Sequence, residues 1–574
     1  MANDESEDTQ PHSSHDFSRR GFLGAVGVAG GALALGDGKL GRLAALGGAS
    51  ARPAVPPTPP ARSAAPFELE EATIADLQQG MASGKYTARA IAERYLARID
   101  EMDKRGPAIN QIIELNPDAL AIADAMDAER KAGKVRGPMH GIPVLIKDNI
   151  ATADRMQTTA GSLALVGSKV PRDAFVAQRL REAGAVILGK TNLSEWANFR
   201  STHSSSGWSG RGGLSRNPYA LDRTASGSSS GSGGATASNF AAVAIGTETD
   251  GSITSPAAAC SLVGIKPTVG LVSRAGIVPI SHTQDTAGPM ARTVADAAAL
   301  LSAISGVDAR DAATARSRGH VVADYTKSLD PNGLRGARIG VAREHYTGYN
   351  THTDKLLDAA LAVMKAQGAV IVDPANIATA KKLDADEFEV LMWEFKTDLN
   401  AYLAELTESP VRTLADVIAF NAKNAAKEMP YFGQEIMEQS QKKGPLTGAK
   451  YKAILAKGKR LAGAQGIDAT IAKYRLDAIV APTQAPPVLT DLVNGDPGGG
   501  GSFTSPAAVA GYPHVTVPAG YVFGLPVGIS FVGGAWSEAT LIKLAYAYEQ
   551  ATKHRRPPRF LTTADLRREE GATD

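Results

Sequence analysis

The 574-residue chain contains a single cysteine, Cys260. An internal disulfide is therefore impossible, and neither a cysteine-based zinc site nor an iron–sulfur cluster can form. The ten histidines show no H-E-x-x-H pattern or other ligand spacing. These absences argue against metal chemistry and leave open only a site built from oxygen ligands.

Neither sign of charge is in excess. Lys and Arg total 61 and Asp and Glu total 59, which gives a net charge of +2. Such a balance provides no strong field for nucleic acid or an anionic membrane. Apolar residues make up 43% and charged residues 21% of the chain, close to an ordinary globular composition, which excludes a chain disordered throughout.

The amino-terminal apolar run is too short to span a bilayer, which takes about 20 residues. It follows Ser18-Arg19-Arg20-Gly21-Phe22-Leu23 and continues to about Gly36. This pattern predicts a twin-arginine export signal over residues 1–51, with Ala49-Ser50-Ala51 as the cleavage site. We therefore expect a periplasmic or extracellular protein without stable membrane insertion after processing. The alternative is a disordered tail with a chance Arg-Arg pair.

The rest of the chain divides into three parts. Six prolines among small residues predict an extended linker over residues 52–66. The globular domain is expected over 67–560 and a polar tail over 561–574. Within the domain, apolar strand patterns such as 144–146 and 241–246 alternate with amphipathic helical patterns. The alternation predicts an α/β sandwich around one large sheet.

Three short motifs match functional patterns outside the required context. Residues 184–191 fit the phosphate loop G-x4-G-K-T, but a strand occupies its middle and a helix precedes it. Ser229 is the centre of a G-x-S-x-G pattern, although no core strand leads to it. Ser440 and Lys443 fit S-x-x-K in a charged stretch that we interpret as solvent-exposed. We expect neither nucleotide binding nor a Ser-His-Asp hydrolase at these positions.

Three other elements together suggest serine chemistry. Lys147 directly follows an apolar strand, where burial would lower its pKa toward neutrality and let it act as a general base. A Gly/Ser run covers 226–234, and Gly251 beside Ser252 permits tight backbone geometry that can hold an oxyanion. Taken singly, they could be a surface lysine, a linker and a turn. The apolar segment 240–245 follows at once and argues against the linker.

In this order the segments resemble the amidase signature family, over residues 67–556. Segments in the middle of the chain look most like the peptide amidase branch of that family. Asp250 and Ser230 stand where many members carry glycine, which bears on substrate preference. The matching stretches are Gly141-Ile142-Pro143 with Lys147-Asp148, Gly189 to Glu195, Gly227 to Ser232, Gly246 to Ile253, Gly264 to Thr268 and Gly524 to Gly528, and the branch-like ones are Glu195 to Arg200, Ser206 to Ser209 and Thr247 to Asp250.

The resemblance implies a catalytic triad. Ser252 would be the nucleophile, Ser228 the bridging serine held by a cis peptide bond, and Lys147 the base. The expected oxyanion hole consists of backbone amides, with Ser229 as a supporting residue; those amides belong to Thr249, Asp250, Gly251 and Ser252. The family fold is a single α/β/α sandwich with a mixed central sheet and helices on both faces. No cofactor and no metal are implied.

The implied function is hydrolysis of linear amides through an acyl-enzyme. The expected substrates are C-terminal peptide amides or amino-acid amides, with release of ammonia. Aryl acylamides and carbamates remain open within the family, and a non-catalytic exported binding protein remains open outside it. The export signal argues against the glutamine-hydrolysing component of a tRNA amidotransferase. The expected partner is a small-molecule or peptide amide, with no nucleic acid, and a monomer is favoured.

Overall fold

The computed structural model describes residues 67–497 and 500–567. The predicted export signal (1–51) and linker (52–66) therefore lie outside the described residues. Within the described ranges, no helix has both the length and the apolar character needed to cross a membrane.

An 11-stranded sheet forms the centre of the fold, in the order β1-β3-β2-β6-β8-β7-β12-β13-β11-β9-β10. The short strands β4 and β5 pair separately. The strands are β1 Ile112–Leu115, β2 Pro143–Lys147, β3 Val186–Thr191, β4 Trp208–Ser209, β5 Gly213–Leu214, β6 Val243–Glu248, β7 Val263–Lys266, β8 Thr286–Ala291, β9 Arg338–Val341, β10 Val370–Val372, β11 Ala478–Pro482, β12 His514–Val522 and β13 Leu525–Val532.

The sheet is mixed. Strand β2 runs parallel to both β3 and β6, and β9 runs parallel to β10 and β11. The pairs β6–β8, β8–β7, β7–β12, β12–β13 and β13–β11 are antiparallel. The expectation of a mixed central sheet flanked by helices is therefore confirmed.

Helices surround this sheet. They are α1 Ile74–Ala82, α2 Ala88–Met102, α3 Ala119–Lys131, α4 Phe175–Glu182, α5 Ser230–Ala237, α6 Thr254–Ala259, α7 Val294–Ile304, α8 Thr351–Ala366, α9 Asp384–Glu405, α10 Leu414–Lys423, α11 Ala425–Glu428, α12 Glu435–Gln441, α13 Ala449–Ala462, α14 Asp468–Tyr474, α15 Ser505–Ala510 and α16 Glu538–Thr552.

Local sequence determines where the first helices begin. Thr73 and Asp76 form a reciprocal capping box at α1. The hydroxyl of Thr87 accepts from the amide of Ala90 and caps α2. The buried α2 side chains Ile91, Tyr95 and Ile99 lie four residues apart and therefore share one face of the helix.

Helices cover both faces of the sheet, as strand β12 illustrates. Successive side chains of a strand point to opposite faces. Val515 and Val517 belong to the main apolar core together with Leu541 of α16. Between them, Thr516 faces Gly528 on β13, and a Cβ at Gly528 would contact both Thr516 and Ala258 of α6. Helices α16 and α6 therefore pack on opposite sides.

Strand β6 begins two residues later than its apolar pattern suggested. Asn239 has a positive φ of 60°, and the amide of Phe240 bonds back to the carbonyl of Ala235. The chain needs residues 239–242 to leave helix α5 and enter the sheet. Strand β6 consequently extends to Glu248, which brings it closer to Ser252.

The three short motifs that match functional patterns take ordinary structural roles, and one expectation about them is wrong. Residues 186–191 form the buried strand β3, so the phosphate-loop pattern is not a loop. The expectation that Ser440 is solvent-exposed is wrong: it is fully buried in α12, and its hydroxyl donates to the carbonyl of Ile436. Ordered packing also continues beyond residue 560, since Leu561 and Ala564 are buried.

Candidate active site

Lys147 ends strand β2 and is completely buried. Its Nζ donates to Ser228 Oγ at 2.8 Å and to Thr247 Oγ1 at 2.9 Å, with the carbonyl oxygen of Thr247 at 3.3 Å. Asn149 Nδ2 also donates to Thr247 Oγ1, at 3.0 Å. The amine is therefore held in place by hydroxyl and carbonyl oxygens.

Burial lowers the pKa of Lys147 to about 7, while the negative charges of Asp285 and Glu248 act in the opposite direction. A lysine pKa displaced this far from its ordinary value corresponds to about 5 kcal/mol of differential stabilisation between the two protonation states. A substantial fraction of Lys147 is consequently neutral near pH 7. It can then accept a proton, which a surface lysine cannot do at this pH.

The Gly/Ser run is embedded in the fold and is not a linker. The Gly227–Ser228 peptide bond is cis, and the carbonyl of Ser228 accepts from the amide of Ser194 at 3.1 Å. A Cβ at Gly227 would overlap Ser194 Oγ, and one at Gly231 would overlap the carbonyl of Asn192. Glycine is required at position 231 because the backbones of Gln111 and Asn192 approach it closely, whereas a Cβ at Gly227 would meet side-chain atoms of Ser194 and Ser206.

Ser252 lies in the tight turn that joins β6 to α6, and it is 9% exposed. Gly251 has a φ of +77°, a conformation that favours glycine. Glu248 Oε2 accepts from the amides of Ile253 and Thr254 at 2.7 and 2.9 Å and thereby closes the turn. The carbonyl of Ser252 accepts from the amide of Ser229 at 3.2 Å, which places the turn beside the Gly/Ser run.

Ser229 connects the two segments and fits a supporting role. Its hydroxyl donates to the carbonyl of Thr247 at 3.1 Å and accepts from the amide of Thr247 at 3.2 Å. A Cβ at Gly246 would lie 2.9 Å from Ser229 Oγ. Both hydrogen bonds of the Ser229 hydroxyl are therefore made with the backbone of β6.

One cavity adjoins the turn, and a larger groove lies next to that cavity. A cavity of about 180 Å³ has Asp250 and Gly251 in its wall, and a groove of about 460 Å³ contains Ser226. Asp384 and Ser502 line both of them, so the cavity and the groove are neighbours. The side chain of Asp250 accepts from Ser505 Oγ at 2.6 Å. Space for a ligand therefore lies beside Asp250 and Gly251, in the turn that carries Ser252.

Sequence reasoning missed three residues that contact the site: Thr247, Asn149 and Asp285. Thr247 and Asn149 surround Lys147 as described, and Asp285 Oδ1 accepts from Thr249 Oγ1 at 2.6 Å. Thr247 belongs to a segment that matches the family, and its position near a strand end was a usable signal. Nothing local distinguishes Asp285, which reaches the site because β8 pairs with β6.

One group among the described residues could supply three metal ligands: His282, Glu394 and Asp398. His282 Nδ1 lies 2.8 Å from Asp398 Oδ2. Glu394 accepts from Thr283 Oγ1 at 3.0 Å and from Tyr451 Oη at 2.6 Å. These atoms already form a hydrogen-bond network within the protein.

Comparison with known proteins supports the resemblance read from the motifs. The Amidase family matches residues 90–542. A probable amidase of Arabidopsis thaliana is 44% identical over 509 residues, covering 87% of this chain and 94% of the relative. The crystal structure of the native peptide amidase from Stenotrophomonas maltophilia superposes with a TM-score of 0.83 at 50% identity, covering 86% of this chain and 100% of that one.

A glutamyl-tRNA(Gln) amidotransferase component from Halorhodospira halophila is 34% identical, covering 85% of this chain and 99% of the relative. The family match spans most of the chain and includes the turn at Ser252, the Gly/Ser run and Lys147. This chain therefore belongs to the amidase family and is an amide hydrolase with the amidase signature fold.

Proposed function

We propose that the chain is a serine amidohydrolase in which Ser252 is the nucleophile, Ser228 the bridging serine and Lys147 the general base. One observation carries this proposal: a fully buried lysine with a pKa of about 7 donates a 2.8 Å hydrogen bond to the hydroxyl of Ser228. A lysine that is neutral in part at working pH suits proton abstraction from a serine relay.

The proposed reaction proceeds through an acyl-enzyme. Neutral Lys147 accepts the proton of Ser228, which takes the proton of Ser252 as that oxygen attacks the amide carbonyl carbon. Backbone amides of residues 249–252 stabilise the resulting oxyanion. The C–N bond then breaks, and the proton returns from Lys147 through Ser228 to the leaving nitrogen. Water attacks the ester by the same relay, which releases the acid and regenerates Ser252.

We propose C-terminal peptide amides or amino-acid amides as the substrates, with ammonia as the leaving group. The 50% identity to the structure described as a peptide amidase supports this class. The cavity beside Asp250 and Gly251 and the neighbouring groove also support it, because together they offer room for a peptide chain. Aryl acylamides, which differ in the leaving amine, and carbamates, which carry an oxygen on the acyl side of the carbonyl, are the alternatives.

A panel of three substrates tests this choice, and two of them share the same acyl part. The purified chain is incubated with one acylated dipeptide as its carboxamide and its anilide, and with a carbamate of similar size. We expect stoichiometric ammonia and free acid from the carboxamide, with kcat/KM well above that for the other two. Faster turnover of the anilide or carbamate would overturn the proposed substrate class while leaving the triad intact.

A covalent label tests the nucleophile and separates an enzyme from a binding protein. A serine-directed phosphonate should modify Ser252, as mapped by peptide mass spectrometry, and Ser252→Ala should remain unlabelled. Modification of Ser229 would assign the nucleophile there. Absence of both labelling and turnover would favour the non-catalytic alternative.

We further propose that the protein is exported by the twin-arginine route to the periplasm or beyond. The sequence Ser18-Arg19-Arg20 followed by a short apolar run supports this location. An exported enzyme suits free peptide amides better than an aminoacyl-tRNA substrate, which belongs to the cytoplasm.

A further inference from the structure

The loop before strand β8 forms two hydrogen bonds with Thr249, the first residue of the proposed oxyanion hole. Asp285 Oδ1 accepts from the hydroxyl of Thr249 at 2.6 Å. Gln284 Nε2 lies 3.4 Å from the carbonyl oxygen of Thr249. Thr249 therefore has both its side chain and its peptide group bonded to residues that come 35 and 36 positions later in the chain.

Asp285 is itself fixed by its own loop. Its Oδ2 accepts from the amides of Ile280 and Ser281, each at 2.8 Å. The carboxylate thus uses one oxygen to close the loop and the other to hold Thr249. A carboxylate accepting several hydrogen bonds in this way is a rigid anchor.

Helices outside the sheet hold the same loop. Gln284 Nε2 also donates to Glu387 Oε1 of α9 at 2.9 Å, and the amide of His282 donates to Asp398 of α9 at 2.8 Å. Lys459 of α13 donates to the carbonyl of Thr283 at 2.8 Å. The position of Thr249 is consequently linked to the helical layer through the loop 280–285.

Asp285 also faces the surroundings of Lys147. A narrow cavity of about 10 Å³ is lined by Asp285 and Thr249 together with Thr247 and Asn149. The last two are the residues that surround the lysine amine. A negative charge in this cavity favours the protonated form of Lys147.

We propose that Asp285 is a positioning residue for amide hydrolysis, which holds Thr249 in the oxyanion hole and stabilises protonated Lys147 through its negative charge. The inference rests on the Ser252–Ser228–Lys147 mechanism proposed above. Asp285 acts through Thr249 and Lys147 and has no assigned contact with substrate.

Several charged groups lie around Asp285 and Lys147. The negative charges of Asp285 and Glu248 oppose the lowering of the Lys147 pKa by burial. The positive charge of the nearby Arg274 guanidinium opposes the raising of the Asp285 pKa by burial. A larger cavity that Asp285 also lines has further titratable and charged side chains in its wall: Arg172, His282, Arg310, Asp311, Asp398 and Glu405. Burial raises the pKa of Asp285 to about 6, so Asp285 is largely ionised where Lys147 titrates.

The test compares Asp285→Asn with Thr249→Val by complete pH profiles of kcat and KM on one carboxamide. Asp285→Asn removes the charge and should move the acid limb of the profile to lower pH, by about one unit, while kcat falls. Thr249→Val keeps the charge of Asp285 but removes the hydroxyl through which Asp285 holds residue 249. We therefore expect kcat to fall roughly 10- to 100-fold, while the acid limb of the pH profile stays in place. KM should change little in either variant.

An unshifted acid limb in Asp285→Asn would overturn the electrostatic part, and an unchanged kcat in Thr249→Val would overturn the anchoring part. If Asp285→Asn does not fold, Asp285→Glu is used in its place. Glutamate retains the negative charge, so the acid limb of the pH profile should stay where it is while kcat falls. A shifted limb in Asp285→Glu would contradict the inference. Lys147→Ala, measured alongside, separates the outcomes: activity retained there would remove the underlying mechanism itself.

Discussion

Lys147 Nζ lies 2.8 Å from Ser228 Oγ, and both side chains are completely buried. The hydrogen-bond partners of this amine within the described part of the chain are uncharged oxygens of Ser228 and Thr247. A buried lysine without a paired carboxylate is held at a cost in stability. Such a cost is typical of functional sites, where a shifted pKa serves the chemistry.

Substitution of Lys147 should abolish turnover through chemistry and not through misfolding. Lys147→Ala should lose about 10²–10⁴-fold or more in kcat, the usual contribution of a positioned general base. Lys147→Arg should be nearly as poor, because guanidinium stays protonated at working pH. Steady-state kinetics and the thermal midpoint are measured for each variant.

Lys190 provides a matched control. It is fully buried near the end of the adjacent strand β3, with its amine bonded to the carbonyl of Ile150 at 2.6 Å and to Thr158 Oγ1 at 3.0 Å. Lys190→Ala should lower the thermal midpoint with a much smaller change in kcat per folded molecule. Near-normal kcat in Lys147→Arg would rule out Lys147 as the base.

Ser252→Ala should eliminate turnover while the protein stays folded, because only the nucleophilic oxygen is removed from a turn fixed by Glu248. Ser229→Ala is the comparison, since its hydroxyl is bonded to the Thr247 backbone. We expect Ser229→Ala to retain a measurable kcat with a lower thermal midpoint. The opposite ranking of the two variants would transfer the nucleophile to Ser229.

The stability of the wild type should depend on pH through Lys147. Its folded-state pKa of about 7 lies below the ordinary value of 10.5. The unfolded chain therefore binds one more proton between these two pH values, and stability rises with pH in that window. Below about pH 7, Lys147 is protonated in both the folded and the unfolded state, and the full cost of burying the charged amine then lowers the free energy of unfolding.

Lys147→Met removes this titration. The free energy of unfolding of the variant minus that of the wild type should be largest below pH 7. It should decrease by about 1.4 kcal/mol per pH unit toward pH 10. Chemical denaturation at several pH values measures it, and a difference that does not vary with pH would show that Lys147 has an unshifted pKa.

Gly251→Ala should lower kcat strongly. The residue has a φ of +77°, and a Cβ there would lie 2.9 Å from Ser255 Oγ, so either the Ser255 side chain or the turn that carries Ser252 must shift. Gly133→Ala is the control, with a φ of +74° and no atom within 4 Å of the new Cβ. Both variants carry the backbone strain, but only Gly251→Ala should lose roughly 10²-fold in kcat. Equal kcat losses would show that the turn does not position the nucleophile.

Export should depend on the paired arginines. Changing Arg19 and Arg20 together to Lys should leave the precursor in the cytoplasm, because the pair is recognised by a receptor. Arg42→Lys, in the same amino-terminal segment, should be exported normally. Fractionation and immunoblotting distinguish the outcomes, and normal export of the double variant would point to another route or a cytoplasmic enzyme.

Part of the fold could be predicted because its signals are local. The capping pattern of Thr73 and Asp76 and the apolar run before Lys147 depend on neighbours a few residues away. The start of β6 could not be placed, since an apolar run does not reveal how many residues the chain needs to turn after α5. The burial of Ser440 was missed because polar neighbours in sequence obscured the apolar cluster around α12.

The sequence by itself determined the family, the large mixed α/β fold and the segments that carry Lys147, Ser228 and Ser252. Only the tertiary structure decided what surrounds them. Thr247 meets Lys147 across 100 positions and Asp285 meets Thr249 across 36, because β6 lies between β2 and β8 in the sheet. Contacts of this kind, and the burial that shifts the lysine pKa, depend on strand order and packing, which residue patterns do not encode locally.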